Sequence, residues 1–337
     1  MCRIMILALP GMVMMECLTR YLTSQGVMKP FLPISGLVLG VQCVTTYVLV
    51  HLMRLGYAGG ALAWVLSFWN NVALMTYYIW WSGIWKESLR EGLQWECLQS
   101  APVFIGLAIP GALMLLCEVW VFEAMTLLSG YFGPVELSAQ TVLTNLESLF
   151  FMIPLGISTA CTTRVGNALG HGEPESASRA LKIGLGWSLI TVSGMVLFLL
   201  MGQNLVVGIF TKDPATVDIF LDTLPVQILV HVLNALQGVL SGAVRGVGNQ
   251  KEGALLNFVA YWGVGLPCSI WFAFGLGWRL PGLWNGLACG LWVQVTLMLC
   301  FFGRYSPCPL WSICVLLHVS SPENCEHCLQ RICSSFL

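Results

Sequence analysis

Along this chain, apolar residues gather into runs of about 20, enough to cross about 30 Å of hydrocarbon, separated by short polar clusters. Nine such runs stand out, at roughly 4–23, 31–53, 59–81, 101–128, 136–161, 183–203, 217–242, 254–275 and 281–303. The pattern predicts nine spanning helices and an all-α polytopic membrane protein. Gly and Pro inside several runs are compatible with this, because neighbouring helices in a membrane bundle satisfy the freed backbone groups. The first run follows Arg3, as a signal peptide would. It contains Glu16 and Arg20 and has no small-residue cleavage site, so it reads as a spanning helix. Glu16 and Arg20 stand four apart with Glu first, a spacing that favours an in-helix pair.

Composition agrees with that pattern. Of 337 residues 57% are hydrophobic and 9% charged, where soluble domains run near a quarter charged. A formal net charge of −1 supplies no basic surface for nucleic acid. The far ends of alternate runs and the loops after them hold Arg20, Lys29, Lys86, Arg90, Arg164, Arg179, Lys182, Arg245, Lys251 and Arg304. The other loops and the N-terminus hold only Arg3, Arg54, Lys212 and Arg279. The positive-inside rule puts the richer set in the cytosol and residue 1 outside. An outside N-terminus without a cleavable signal leads to the expectation that helices are missing upstream. The 14 cysteines form no disulfide framework. Most sit in the apolar runs as small hydrophobic residues. Cys325-Glu-His-Cys328 offers one ligand pair where a structural zinc site needs two.

The apolar runs suggest four segments: 1–84 as a three-helix group, 85–100 as an amphipathic cytosolic linker, 101–303 as a six-helix group, and 304–337 as a divergent tail. A faint internal echo supports the division. Leu55-Gly-Tyr before one apolar helix resembles Leu276-Gly-Trp before another. Transporters built from repeated bundles show such echoes. If the first three runs repeat the last three, the N-terminal group is half of a six-helix bundle.

Two carboxylates interrupt the fourth run, in Leu115-Leu-Cys-Glu-Val-Trp-Val-Phe-Glu-Ala-Met125. A charged group at a bilayer centre costs about 2.5–3.5 kcal/mol, so Glu118 and Glu123 together would cost roughly 5–7 kcal/mol facing lipid. They are expected to face a water-filled cavity that binds protons and cations. Five residues apart, they point about 140° from each other. Trp120 and Phe122 lie between them, and aromatic faces beside acids suit organic cations. In the next run Gln140, Asn145 and Glu147 supply polar groups, with Glu147 a third intramembrane acid. Gln140 and Asn145 are also the kind of residue that bonds one helix to another. His231 and Asn234, one turn apart in the seventh run, could add polar lining. No nucleophile with its base, phosphate loop or metal cluster is evident, so no enzyme activity or metal is expected.

Two stretches identify a family resemblance. Thr163-Arg-Val-Gly-Asn-Ala-Leu-Gly-His-Gly172, preceded by Ile153-Pro-Leu-Gly156, resembles the cytosolic end of the eighth helix of the multidrug and toxic compound extrusion (MATE) family. Leu240-Ser-Gly-Ala-Val-Arg-Gly-Val-Gly-Asn-Gln-Lys251, continuing through Tyr261 to Gly265-Leu-Pro267, is similar to the family's junction of tenth and eleventh helices. Trp95-Glu-Cys-Leu-Gln99 resembles the animal branch. The resemblance implies a two-lobe bundle of twelve helices around a central cavity, of which about nine, family helices four to twelve, are present. It implies exchange of organic cations and other drug-like solutes for protons, and Glu118 and Glu123 match the family's seventh-helix acids. The family's eighth-helix acid falls on Asn145 and its tenth-helix acid on Asn234, neither of which can ionise.

The expectation drawn from this reading is a multi-pass protein of the plasma membrane that exports organic cations in exchange for H⁺, with lipid as its surroundings and no further cofactor. The alternative is a truncated, transport-inactive isoform; a ligand-sensing receptor ranks behind both.

Overall fold

In this computed structural model residues 2–88 and 101–304 are described. They form nine long helices: α1 Ala8–Ser24, α2 Phe31–Leu52, α3 Gly56–Ser82, α4 Ala101–Phe132, α5 Pro134–Gly170, α6 Pro174–Phe210, α7 Pro214–Val247, α8 Gln250–Gly275 and α9 Arg279–Arg304. No strand occurs among the described residues. Each apolar run is thus a helix, and the all-α fold follows. Beyond Ser88 the expected linker, and beyond Arg304 the tail with its Cys325–Cys328 pair, fall outside the described residues.

Seven of the nine, α2 and α4 to α9, are long and apolar enough to cross a membrane. The other two differ for separate reasons. Helix α1 has 17 residues, about 25 Å of rise, and carries Glu16 and Arg20 as an exposed pair at 3.7 Å. Helix α3 has the length, but Asn70, Asn71 and its many Trp and Tyr residues lower its hydropathy. Helices α5, α6 and α7 reach 34 to 37 residues, well past the apolar runs that announced them. Each starts with Pro at its first position, where a missing N–H costs nothing.

The described residues group into two compact units that divide at residue 99. In the first, α3 packs on both α1 and α2 through small side chains, among them buried Ala61 and Ala63. In the second, α5 and α7 make the most extensive contact, and α7 also packs on α6 and α9. Gly238, Gly242 and Gly246 recur every fourth residue along α7, the small-residue spacing that lets membrane helices approach closely. Into this groove Ser158 donates a hydrogen bond to the Gly238 carbonyl (2.5 Å) and Thr162 donates to that of Gly242 (2.8 Å). Gly282, Gly286 and Gly290 of α9 play the same part against Ala273, Ser269 and Gly265 of α8.

The internal echo has a structural counterpart in a different register. Helix α2 ends in a wider, π-type turn, with the Met53 N–H donating to Val48 (2.9 Å) and the Leu55 N–H to Leu49 (3.2 Å). Helix α8 ends likewise, with Leu276 donating to Trp271 (3.1 Å) and Trp278 to Phe272 (3.2 Å). Positive φ follows in both places, at Arg54 (54°) and Gly56 (52°), then at Gly277 (72°) and Arg279 (51°). Arg54 therefore corresponds to Gly277, two residues from the pairing that matching Leu-Gly-aromatic letters suggests.

Candidate functional site

One face each of α4, α5 and α7 encloses a cavity of about 390 Å³ in the second unit. Helix α4 contributes Leu115, Glu118, Val119, Phe122 and Glu123, a spacing of three and four that marks a single helical stripe. Glu118 and Glu123 stand at the two edges of this one stripe, so both acids reach the same space although they point about 140° apart. Helix α5 presents Thr144, Glu147, Ser148, Phe151 and Ser158 among others, and α7 presents Asn234, Gln237, Ser241 and Arg245.

The acids differ in their surroundings. Glu118 is half-buried and accepts a long hydrogen bond from Gln237 Nε2 (3.5 Å), which also donates to Ser241 (2.9 Å). Glu123 also lines the cavity and is exposed. Glu147 is 4% exposed; its Oε1 accepts from Asn234 Nδ2 at 2.9 Å, and His231 Nδ1 lies 3.3 Å from both carboxylate oxygens. At the far end Arg245 Nη2 donates to Ser158 Oγ (3.1 Å), and its charge acts on Glu118. Three acids and one guanidinium give the space a negative balance. The turn carrying Glu118 is held from outside the cavity. Asn257 donates to the Met114 carbonyl (2.9 Å), Gln294 donates to Asn257 (2.7 Å), and Trp262 donates to the Cys117 carbonyl (3.2 Å).

Of the residues singled out from sequence, Glu118, Phe122, Glu123, Glu147 and Asn234 meet at the cavity. Trp120, Gln140 and Asn145 do not. Trp120 is 56% exposed and lies off the lining stripe, because two residues along a helix turn a side chain about 200° from Phe122. Gln140 is fully buried, accepting from Trp284 Nε1 (2.8 Å) and donating to Thr144 (3.2 Å), so it is a packing residue. Asn145 is exposed, one residue past the Thr144–Glu147–Ser148 face. Arg245 belongs to the last turn of α7 rather than to a loop, since the helix outlasts its apolar run by five residues. Gln237, Ser241 and Ser158 were not anticipated, although Asn234, Gln237, Gly238 and Ser241 carry the three-and-four spacing that would have marked them. Among the described residues no cluster of three metal-ligating side chains occurs.

The MatE family matches residues 110–271, a range that contains every cavity-lining residue. Multidrug and toxin extrusion protein 1 of Mus musculus is 36% identical over 305 residues, covering 89% of this chain and 53% of that protein. The protein of the same name from Homo sapiens is also 36% identical, with 52% of its length covered. Protein DETOXIFICATION 16 of Arabidopsis thaliana is 35% identical over 294 residues. The chain spans about half the length of the curated relatives it matches. The crystal structure of the eukaryotic MATE transporter AtDTX14 superposes with a TM-score of 0.85 at 28% identity, covering 98% of this chain and 70% of that one. Residues 110–271 are thus a MatE family domain, in a multi-pass membrane protein homologous over most of its own length to the multidrug and toxin extrusion proteins.

Proposed function

We propose that this protein is a secondary transporter, not an enzyme, which exports organic cations from the cell across the plasma membrane in exchange for protons. The observation that carries the proposal is the convergence of Glu118, Glu123 and Glu147 on one cavity whose wall also holds the apolar Leu115, Val119, Met152 and Leu155 and the aromatic Phe122 and Phe151. Its volume falls in the range of small-molecule sites, and Phe122 and Phe151 add ring faces suited to quaternary or protonated amines. The names of the relatives support extrusion of drug-like solutes.

In this mechanism the ionised acids hold the organic cation from the cytosolic side. Protons arriving from outside neutralise them and release it, and loss of those protons inward restores the site. Exchange of access occurs by rocking of helix groups about the cavity, as in transporters built on repeats. Proton is the only coupling agent invoked, and no other cofactor enters.

The test is uptake of radiolabelled tetraethylammonium into proteoliposomes holding the full chain, at two external pH values. Wild type is expected to respond to the proton gradient, and Glu118→Gln to lose the response together with most of the uptake. A mutant that transports as wild type does, with unchanged pH response, contradicts the mechanism. A wild type that binds but never transports supports the transport-inactive form.

A further inference from the structure

Behind the cavity wall lies a group that the exchange cycle above does not use. His231 is 1% exposed and is not among the lining residues, yet its Nδ1 straddles both oxygens of Glu147, which does line the cavity. The carboxylate is therefore interposed between an interior imidazole and the space where a solute would sit. The other ring nitrogen lies 3.5 Å from the Met195 sulfur, a weak acceptor, and the ring leans on Phe150 with centroids 5.5 Å apart. Asn234 Nδ2 fixes Oε1 at 2.9 Å, while its own Oδ1, buried at the cavity wall, has no hydrogen-bond partner among the described residues. Glu147 thus has one fixed neutral donor and one donor that can be either neutral or charged.

We propose that His231 and Glu147 form a proton-binding unit in which the protonated imidazole serves as a built-in cation, contending with the transported solute for the Glu147 carboxylate. This rests on the cation-transport reading and adds a carrier for one coupling proton. When the ring holds two protons, its charge neutralises Glu147 from behind, and a solute cation in front gains little. When the ring gives up the second proton, the carboxylate's charge is left for the solute. A lone charge in so dry a place is costly, so carboxylate and cation occupy it together, with imidazolium and solute as alternative partners. Proton balance is simple: each solute bound at Glu147 displaces one proton from the ring, and each proton regained displaces the solute.

Charged and titratable groups approach the pair from several helices. Helix α4 brings Glu118, which acts electrostatically on Glu147, and Glu123, which also lines the cavity. Helix α6 brings Met195 and α5 the Phe150 ring. Helix α8 brings the buried Tyr261 hydroxyl, which feels both acids. Helix α9 packs with apolar residues such as Leu287 and Leu291. Arg245 of α7 lies three turns along the cavity from Asn234. The imidazole is the titratable cation in contact with Glu147.

The direct test is nitrogen-15 spectroscopy of the full chain in lipid nanodiscs, with labelled histidine and the His231 signals assigned by loss in His231→Gln. Across a pH series, saturating tetraethylammonium is expected to lower the ratio of doubly to singly protonated His231 about tenfold, a typical coupling between two sites. In Glu147→Gln the same addition is expected to leave that ratio unchanged. Tetraethylammonium that binds wild type, by radioligand counting, without altering the His231 signals overturns this inference and leaves the transport reading intact. A wild type that binds no tetraethylammonium overturns both. Should either variant misfold, proton release per bound cation, measured calorimetrically on wild type in buffers of differing ionisation enthalpy, decides the matter: no release across the same pH series contradicts the unit.

Discussion

Gly242→Ala adds one methyl group at the closest point between α5 and α7, and its effect follows from distances. The new Cβ would stand 2.5 Å from Ser158 Oγ and 2.6 Å from the Ser158 carbonyl oxygen, and the latter is backbone that no side-chain rotation can clear. The helices must separate, which lengthens the bonds from Ser158 to Gly238 and from Thr162 to Gly242. Interhelical bonds of this kind contribute about 0.6 kcal/mol each, and overpacking costs about 1–3 kcal/mol, so the total is roughly 2–4 kcal/mol. At about 2–4 °C per kcal/mol for a unit of this size, the unfolding midpoint should fall by roughly 5–15 °C. Because Asn234 and His231 ride on the same helix, their contacts with Glu147 should loosen too, and cation binding should weaken. The assay is thermal unfolding by tryptophan fluorescence in detergent, with Gly156→Ala as control, since a Cβ there meets nothing within 4 Å. Equal midpoints for the two variants would refute the argument from close packing.

Three further outcomes follow from the site and its supports. Phe122→Ala should weaken binding of a quaternary ammonium by roughly 2- to 30-fold, the span of cation–π energies. Trp120→Ala should stay within about twofold, and the reverse order would contradict the placement of the two rings. Asn257→Leu removes the bond to Met114 and strands Gln294, costing about 1–3 kcal/mol of stability and weakening cation binding although Asn257 does not line the cavity. At the start of α7, hydrogen bonds from the Thr216 hydroxyl (2.6 Å) and amide (3.1 Å) hold the Asp213 carboxyl below the usual carboxylate range. A depressed carboxylate stabilises the fold above its unfolded value, and that stabilisation is lost as pH falls through the folded one. The midpoint gap between wild type and Asp213→Ala should therefore hold above about pH 5 and close toward about pH 2; a gap that persists unchanged into strong acid would count against the cap.

The helices were legible because lipid imposes a coarse rule: about 20 apolar residues make one crossing. Their ends were not, because α5, α6 and α7 continue beyond the apolar zone with mixed sequence, and this is how Arg245 was taken for a loop residue. Glu118 and Glu123 declared themselves by the cost of placing acids in hydrocarbon. Which neighbours share their cavity depends on helix rotation, so Phe122 and Trp120 looked alike in sequence and part company in space. Glu147 meets a histidine 84 residues away, on a different helix. Composition and periodicity say nothing about such a pairing until α5 and α7 are locked in register by their glycine groove.

The account's central claim is that a positively charged organic solute occupies the space between α4, α5 and α7 beside the acids. The most direct measurement is crystallographic: the full chain crystallised with an arsenic-bearing quaternary cation, and the anomalous signal of arsenic located. A peak within the cavity beside Glu118 and Glu147, absent in Glu118→Gln/Glu147→Gln, is the predicted result. A peak elsewhere on a protein that binds the cation with undiminished affinity in the double variant would contradict it.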